Sequence, residues 1–158
     1  MAPNEQMKFI ADNMLGRLAK WLRIIGCDVA YYRRIDDSRL VELALEQGRL
    51  ILTRDTLLIR RKKAKGTFFF VTDNNYKEQL KQVANQFSID PFQNVLTRCI
   101  ECNTLLSDIG RENVRELLPA YVYENLKSFR RCRQCNKVYW PATHKDHIIE
   151  TLKVIFRP

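Results

Sequence analysis

Two sets of residues in this sequence have the type and spacing to do chemistry, one sulfurous and one acidic. Cys99-Ile-Glu-Cys102 and Cys132-Arg-Gln-Cys135 are C-x-x-C pairs separated by 29 residues, close to the spacing of paired knuckles in structural zinc modules though longer than the commonest range. A two-residue gap lets both sulfurs of one turn face a single tetrahedral ion. The residue after each pair often takes a positive φ, and here it is asparagine twice, Asn103 and Asn136, the most tolerant choice after glycine. Disulfides or redox thiols are the competing reading, but nothing thioredoxin-like surrounds either pair. Four thiolates on Cys99, Cys102, Cys132 and Cys135 close the coordination sphere, so the expected zinc is structural and performs no chemistry. His144 and His147, at i and i+3, then read as surface or cap-packing residues, Cys27 as a small core residue, and Tyr139-Trp140 as completing the module's small core ahead of stacking on a base.

The acidic set is Asp12, Asp36, Asp37, Asp55 and Asp73, which follow, closely or directly, the four apolar segments that read as strands. One such aspartate is ordinarily a helix N-cap or first-turn residue complementing the dipole. Acids after every strand of one parallel sheet would crowd negative charge at its carboxyl edge, where α/β folds bind ligands, and crowding is unfavourable unless cations occupy the site. Carboxylates favour hard ions such as Mg²⁺ or Mn²⁺, which clamp a phosphodiester and lower the pKa of an attacking water. Rival α/β chemistries lack their marks: there is no G-x-G-x-x-G, no G-x-x-x-x-G-K and no serine elbow.

The elements that must position these residues alternate strand with helix, the signature of a parallel sheet covered by helices. Strands are expected over 8–11, 28–32, 50–53 and 67–72. A helix over 14–25 carries Leu15, Leu18, Leu22 and Ile25 at helical spacing and stops at Gly26. A second opens at the Asp36-Asp37-Ser38 cap and ends at Gly48, a short third spans 55–62, and a fourth spans 75–87 with Leu80, Val83, Ala84 and Phe87 as its buried stripe. After Pro91 the alternation stops and the cysteines begin, so an α/β domain over 7–90 and a zinc ribbon over 98–148 are expected, with 149–158 as the end of a last helix that starts at a Thr143 cap.

The 158 residues, 46% hydrophobic, suffice for one packed domain with a small appendage. No apolar run approaches the roughly 20 residues needed to cross a bilayer, and the N-terminus shows no apolar secretory core, so a soluble, cytoplasmic protein without membrane contact is expected. Twenty-seven basic against 18 acidic residues give +9, which favours a polyanionic partner. Arg17, Lys20, Arg23 and Arg54, with the run Arg60-Arg61-Lys62-Lys63, are the candidate phosphate contacts; they would position a strand without reading its sequence.

Several of these stretches together resemble a known family. They are Phe9-Ile-Ala-Asp12-Asn-Met-Leu-Gly16-Arg-Leu-Ala-Lys-Trp21-Leu-Arg, Asp36-Asp37, Ile51-Leu-Thr53-Arg54-Asp55, Gln79-Leu80, and the two cysteine pairs, the second continuing into Val-Tyr139-Trp140-Pro141-x-x-His144. The chain is similar, over about residues 7 to 148, to the PIN-like ribonuclease domain found at the C-terminus of the nematode mut-seven exonuclease and as stand-alone prokaryotic proteins. The resemblance implies a PIN-like parallel sheet flanked by helices, a zinc ribbon, and RNA cleavage through Asp12, Asp37 and Asp55, with Asp73 a lesser participant. The second-position ligand could be Asp36, Asp37 or Glu42. The expected function is therefore a Mg²⁺- or Mn²⁺-dependent ribonuclease whose partner is RNA. The competing class is a non-catalytic RNA-binding or ribosome-associated adaptor, and a third possibility is a toxin-like nuclease held by a protein inhibitor.

Overall fold

The computed structural model describes residues 6–157, the side chain of residue 143 excepted. Residues 1–5, on which most of the N-terminal reading falls, and residue 158, the end of the expected last segment, lie outside the described residues. Strands β1 (Lys8–Ala11), β2 (Asp28–Tyr31), β3 (Leu50–Thr53) and β4 (Phe68–Phe70) form a parallel sheet in the order β2-β1-β3-β4. A parallel sheet covered on both faces needs strands apolar on both sides, and Phe9, Ile10 and Ala11 are all fully buried. Their alternation splits them between two layers. Phe9 and Ala11 face α1 (Gly16–Ile24), α3 (Tyr76–Gln86) and α5 (Thr143–Phe156), while Ile10 and Ile51 face Leu40, Val41 and Ala44 of α2 (Asp37–Gln47).

The helices begin and end for local reasons. Asp36 caps α2 by accepting from Arg39 N at 2.9 Å, and Gly48 ends it at φ 63°, in the left-handed region. Gly26, at φ 99°, turns the chain out of α1 where any Cβ would meet Asn94 at 2.5 Å, so the segment after α3 can close over this corner.

The structure departs from the sequence expectations in a few places. Residues 13–15 form a 3₁₀ turn, so α1 proper starts at Gly16. The helix expected over 55–62 is instead two 3₁₀ turns, Leu58–Arg60 and Lys62–Ala64, hinged at an extended Arg61. A continuous helix would set like charges of the Arg60-to-Lys65 run three and four residues apart, and the hinge lets Leu58 and Ala64 both reach the core beside α2. The cap of α5 falls at Ala142, which has no side-chain acceptor to offer.

Beyond Pro91 a second, antiparallel sheet orders β5 (Ser107–Ile109), β6 (Phe129–Arg131) and β7 (Val138–Tyr139), with α4 (Ala120–Asn125) beside it. Its core is small: Val114, Val122 and Phe129, with Trp140 and others packed against them. Then α5 returns to the first layer and inserts Ile148, Leu152 and Ile155 into the main core.

Candidate functional site

In the order β2-β1-β3-β4 the chain leaves β1 for one side and comes back on the other, so the topological switch point lies between β1 and β3. Ligand crevices of open α/β sheets form there, past the strands' carboxyl ends. Asp12 directly follows β1, and Thr53 ends β3. The Thr53 hydroxyl donates to Asp12 Oδ2 at 2.8 Å and accepts from the Asp55 backbone N–H at 2.9 Å, which ties both acids across the crevice. Asp12 is 3% exposed and Thr53 is fully buried, so this link is shielded from water.

Asp37, in the first turn of α2, completes an acidic group at this edge. Burial pushes its carboxyl above the ordinary value, the Asp55 and Asp12 carboxylates push the same way, and Arg61 opposes them. Arg61 reaches over from the basic run, with Nη2 4.0 Å from Asp37 Oδ2 and Nη1 donating to Ser38 Oγ at 2.9 Å. Asp36 adds a smaller repulsion but is turned to its capping bond. Asp73, past β4, is not among the charges that shift Asp37; its side chain accepts from Asn75 N at 2.8 Å, and its carbonyl from the buried Gln79 amide at 2.8 Å. Glu42 is exposed and paired with Arg39 at 3.2 Å, one turn along α2 from Ser38. Among the described residues no three carboxylates converge within 4.8 Å. Asp12, Asp37 and Asp55 are therefore neighbours at one edge without forming a ready-made three-carboxylate ion site.

The basic residues divide. Arg17 is exposed, its guanidinium 4.0 Å from the Tyr76 ring centre, and Lys20 is exposed one turn along α1. Arg54 is half-buried and donates to Val71 O at 3.3 Å. Arg60, Arg61, Lys62 and Lys63 are all exposed. Arg23 is a correction to the sequence reading: it is 8% exposed and its guanidinium donates to the carbonyls of Val29 (2.9 Å), Ile100 (2.9 Å) and Glu101 (3.1 Å). It stands among the expected phosphate contacts, but burial takes it out of reach of a phosphate. Thr53 and Gln79 were missed as site-supporting residues; the available signal was a polar side chain at the end of an otherwise apolar strand and another within a helix's apolar stripe.

At the other end of the chain Cys99, Cys102, Cys132 and Cys135 bring their Sγ atoms within 4.8 Å of one another. The Cys99–Cys135 sulfur separation is 3.8 Å, and a tetrahedron with Zn–S near 2.3 Å has edges of about 3.8 Å. Asn103 and Asn136 take φ values of 68° and 64°, as the knuckle geometry demands. Burial raises the Cys132 thiol, but hydrogen bonds from the backbone N–H groups of Cys135 and Gln134 and from the neighbouring thiols bring it down to about 7, while burial and the same neighbours push Cys102 up to about 12, so a bound metal must displace protons from the cluster. The donor set fits a closed four-thiolate metal site.

The fold and site thus define a parallel α/β protein with acids near its switch point, joined to a module whose four cysteines could hold a metal ion. The chain belongs to the Mut7-C RNAse domain family, whose model matches residues 7–152, nearly its whole length. Membership carries a ribonuclease-type function, a hydrolase activity with RNA as substrate or partner. No curated protein matches the chain. Among the described residues, no helix is long and apolar enough to cross a membrane.

Proposed function

We propose that this protein is a metal-dependent ribonuclease with a PIN-like α/β unit over 7–90, in which Asp12, Asp37 and Asp55 hold Mg²⁺ or Mn²⁺ and Asp73 assists from the neighbouring strand end. The observation that carries the reading is the buried Thr53 hydroxyl, which joins Asp12 to the Asp55 backbone across the switch point while Asp37 is electrostatically strained by both acids. A divalent cation bound there would neutralise a phosphodiester and make water a better nucleophile. Asp12 and Asp55 are held in place before substrate arrives, which limits the reorganisation needed on binding. Arg17, Lys20, Arg54, Arg60, Lys62 and Lys63 supply phosphate contacts, and Arg61 moves between Asp37 and the RNA backbone. Asp36 serves as a cap and a reserve carboxylate. The cysteine module over 98–148 holds one structural zinc, and 149–158 ends the helix that docks on the first unit. A reducing cytoplasm would keep the cysteines as the thiols such a site needs.

One observation favours the adaptor reading: Asp12, Asp36, Asp55 and Asp73 each accept a local backbone N–H, as ordinary caps do. Cleavage separates the two. Labelled RNA is incubated with pure protein under Mg²⁺, Mn²⁺ or no added divalent ion, avoiding chelators that would strip the thiolate site. The expected result is divalent-dependent cleavage, lost in Asp12→Asn and Asp55→Asn while RNA binding persists. Wild-type protein that binds RNA but cleaves none tested, with no thermal shift from either ion, establishes the adaptor.

A further inference from the structure

A cleft of about 440 Å³, away from the acidic edge, opens between the segment after α3, strands β6 and β7, and the start of α5. Its walls include the rings of Phe92, Tyr139 and Trp140 and the cations Arg130 and Lys145, and among the described residues no carboxylate lines it. The rings are fixed in advance. Trp140 packs against the Val114, Val122 and Phe129 core, and the Tyr139 hydroxyl donates to Cys99 Sγ at 3.2 Å and accepts from Ile100 N at 3.0 Å. Further cations already lie on them, Arg157 at 4.3 Å from the Phe92 ring centre and Lys137 at 5.3 Å from that of Tyr139. Arg130 pairs with Asp108, 3.5 Å away with its side chain 92% exposed, a contact that a phosphate can replace at little cost.

We propose that this cleft is a second binding site for single-stranded nucleic acid, taking an unpaired base among its aromatic walls and the flanking phosphates on Arg130 and Lys145. Aromatic faces interleaved with cations and free of carboxylates match a strand that offers a π-face and an anion at every step. Location sets the consequence. The cleft adjoins the C-terminal end of α1, where Leu96 N donates to Ile24 O at 2.8 Å, whereas Asp12 lies before the other end of that nine-residue helix, about 13 Å away at 1.5 Å per residue. A strand engaged at both places runs along α1 and its exposed Arg17 and Lys20. The site would bind strand lying beyond the scissile bond and so favour substrates with an unpaired extension. It rests on the reading above for the identity of the polyanion and not for catalysis.

The test uses the full chain without added divalent ions or chelator. Trp21 and Trp140 are its two tryptophans, so Trp21→Phe leaves Trp140 as sole reporter, and a single-stranded RNA of about twelve nucleotides should quench its emission saturably. Arg130→Glu with Lys145→Glu should weaken binding about tenfold and lower the salt slope by about 1.4, the value for two single-strand phosphate contacts. Failure of the two readings is distinguishable. Protein that cleaves RNA with Mg²⁺ but shows neither Trp140 quenching nor a changed slope overturns this site alone, while binding and quenching without cleavage sinks the catalytic reading and leaves the site standing. If the double variant is misfolded by circular dichroism, quenching decides, and its absence overturns the proposal. Quenching by an acidic peptide and not by RNA overturns it in favour of a protein partner.

Discussion

Thr53 does more for the acidic edge than any aspartate does for itself, because its hydroxyl holds one acid by the side chain and another by the backbone. Thr53→Val keeps the shape but leaves the buried Asp12 carboxylate short of a donor, so it should cost about 1–3 kcal/mol in denaturant unfolding. As a positioning change, it should lower kcat more than it raises KM. Asp37 answers to pH. Its carboxyl is raised in the folded state, so between the ordinary carboxylate pKa and the raised one the folded protein holds more protons than the unfolded chain. Stability therefore falls as pH rises through that window and stays lower above it. Asp37→Asn removes the effect: without divalent ions its Tm at pH 7 should equal or exceed that of wild type, and the advantage should vanish below about pH 3.9. Added Mg²⁺ or Mn²⁺ should stabilise wild type more than the variant. Wild type melting well above the variant in metal-free buffer at pH 7 would show that Asp37 is an ordinary first-turn acid gaining from the helix dipole. That every strand ends near an aspartate was legible in the sequence. Which acids meet was not, since it depends on strand order, and strand order is set by packing between segments far apart in the chain.

At the scale of elements, α5 couples the two halves of the chain. It follows the cysteine module, yet three of its side chains, Ile148, Leu152 and Ile155, belong to the main α/β core. Leu152 is fully buried, and Leu152→Ala should cost about 2–5 kcal/mol in chemical denaturation; a loss below about 1 kcal/mol would mean that the helix contributes little to that core. The long elements were legible because period and caps agree: β1 and β3 fall where their apolar runs lie, and α2 runs between an aspartate cap and a left-handed glycine. The elements between the cysteine pairs were not. Strands of two or three residues such as β5, β6 and β7 are too short to show alternation, and a core of three buried residues leaves no periodic stripe. The basic run misled in the other direction, because helix propensity favours lysine and arginine while like-charge repulsion and two buried anchors select the hinge at Arg61.

Across the whole molecule, the first cysteine knuckle is docked on the open edge of the parallel sheet. Among the described residues β2 is an edge strand whose outer groups have no strand partner. Asn103, held at φ 68° by the knuckle turn, accepts from Val29 N at 2.9 Å and donates to Asp28 Oδ1 at 2.7 Å. Arg49 secures the same carboxylate at 2.7 Å, Arg98 donates to Gly26 O at 3.2 Å, and Arg23 spans from Val29 O to the carbonyls of Ile100 and Glu101. The knuckle thus covers an edge that would otherwise invite pairing with another chain. Arg23→Ala should cost about 1–3 kcal/mol by leaving buried carbonyls unpaired, with the salt slope of RNA binding unchanged, whereas Arg17→Ala should lower that slope by about 0.7. Removing the metal tests the docking directly. The thiolate site fixes the turn that aims Asn103, so metal loss should release the Val29 amide from protection before the amides of β1 and β3, which pair within the sheet. Hydrogen exchange on chelator-treated protein should show Val29 exchanging faster by at least about tenfold while Ile10 and Leu52 keep their protection, and the metal-free protein should form higher oligomers through the bared β2 edge. Equal loss at all three amides would mean that the metal holds the entire fold, and unchanged exchange at Val29 would mean that the knuckle keeps its shape without it.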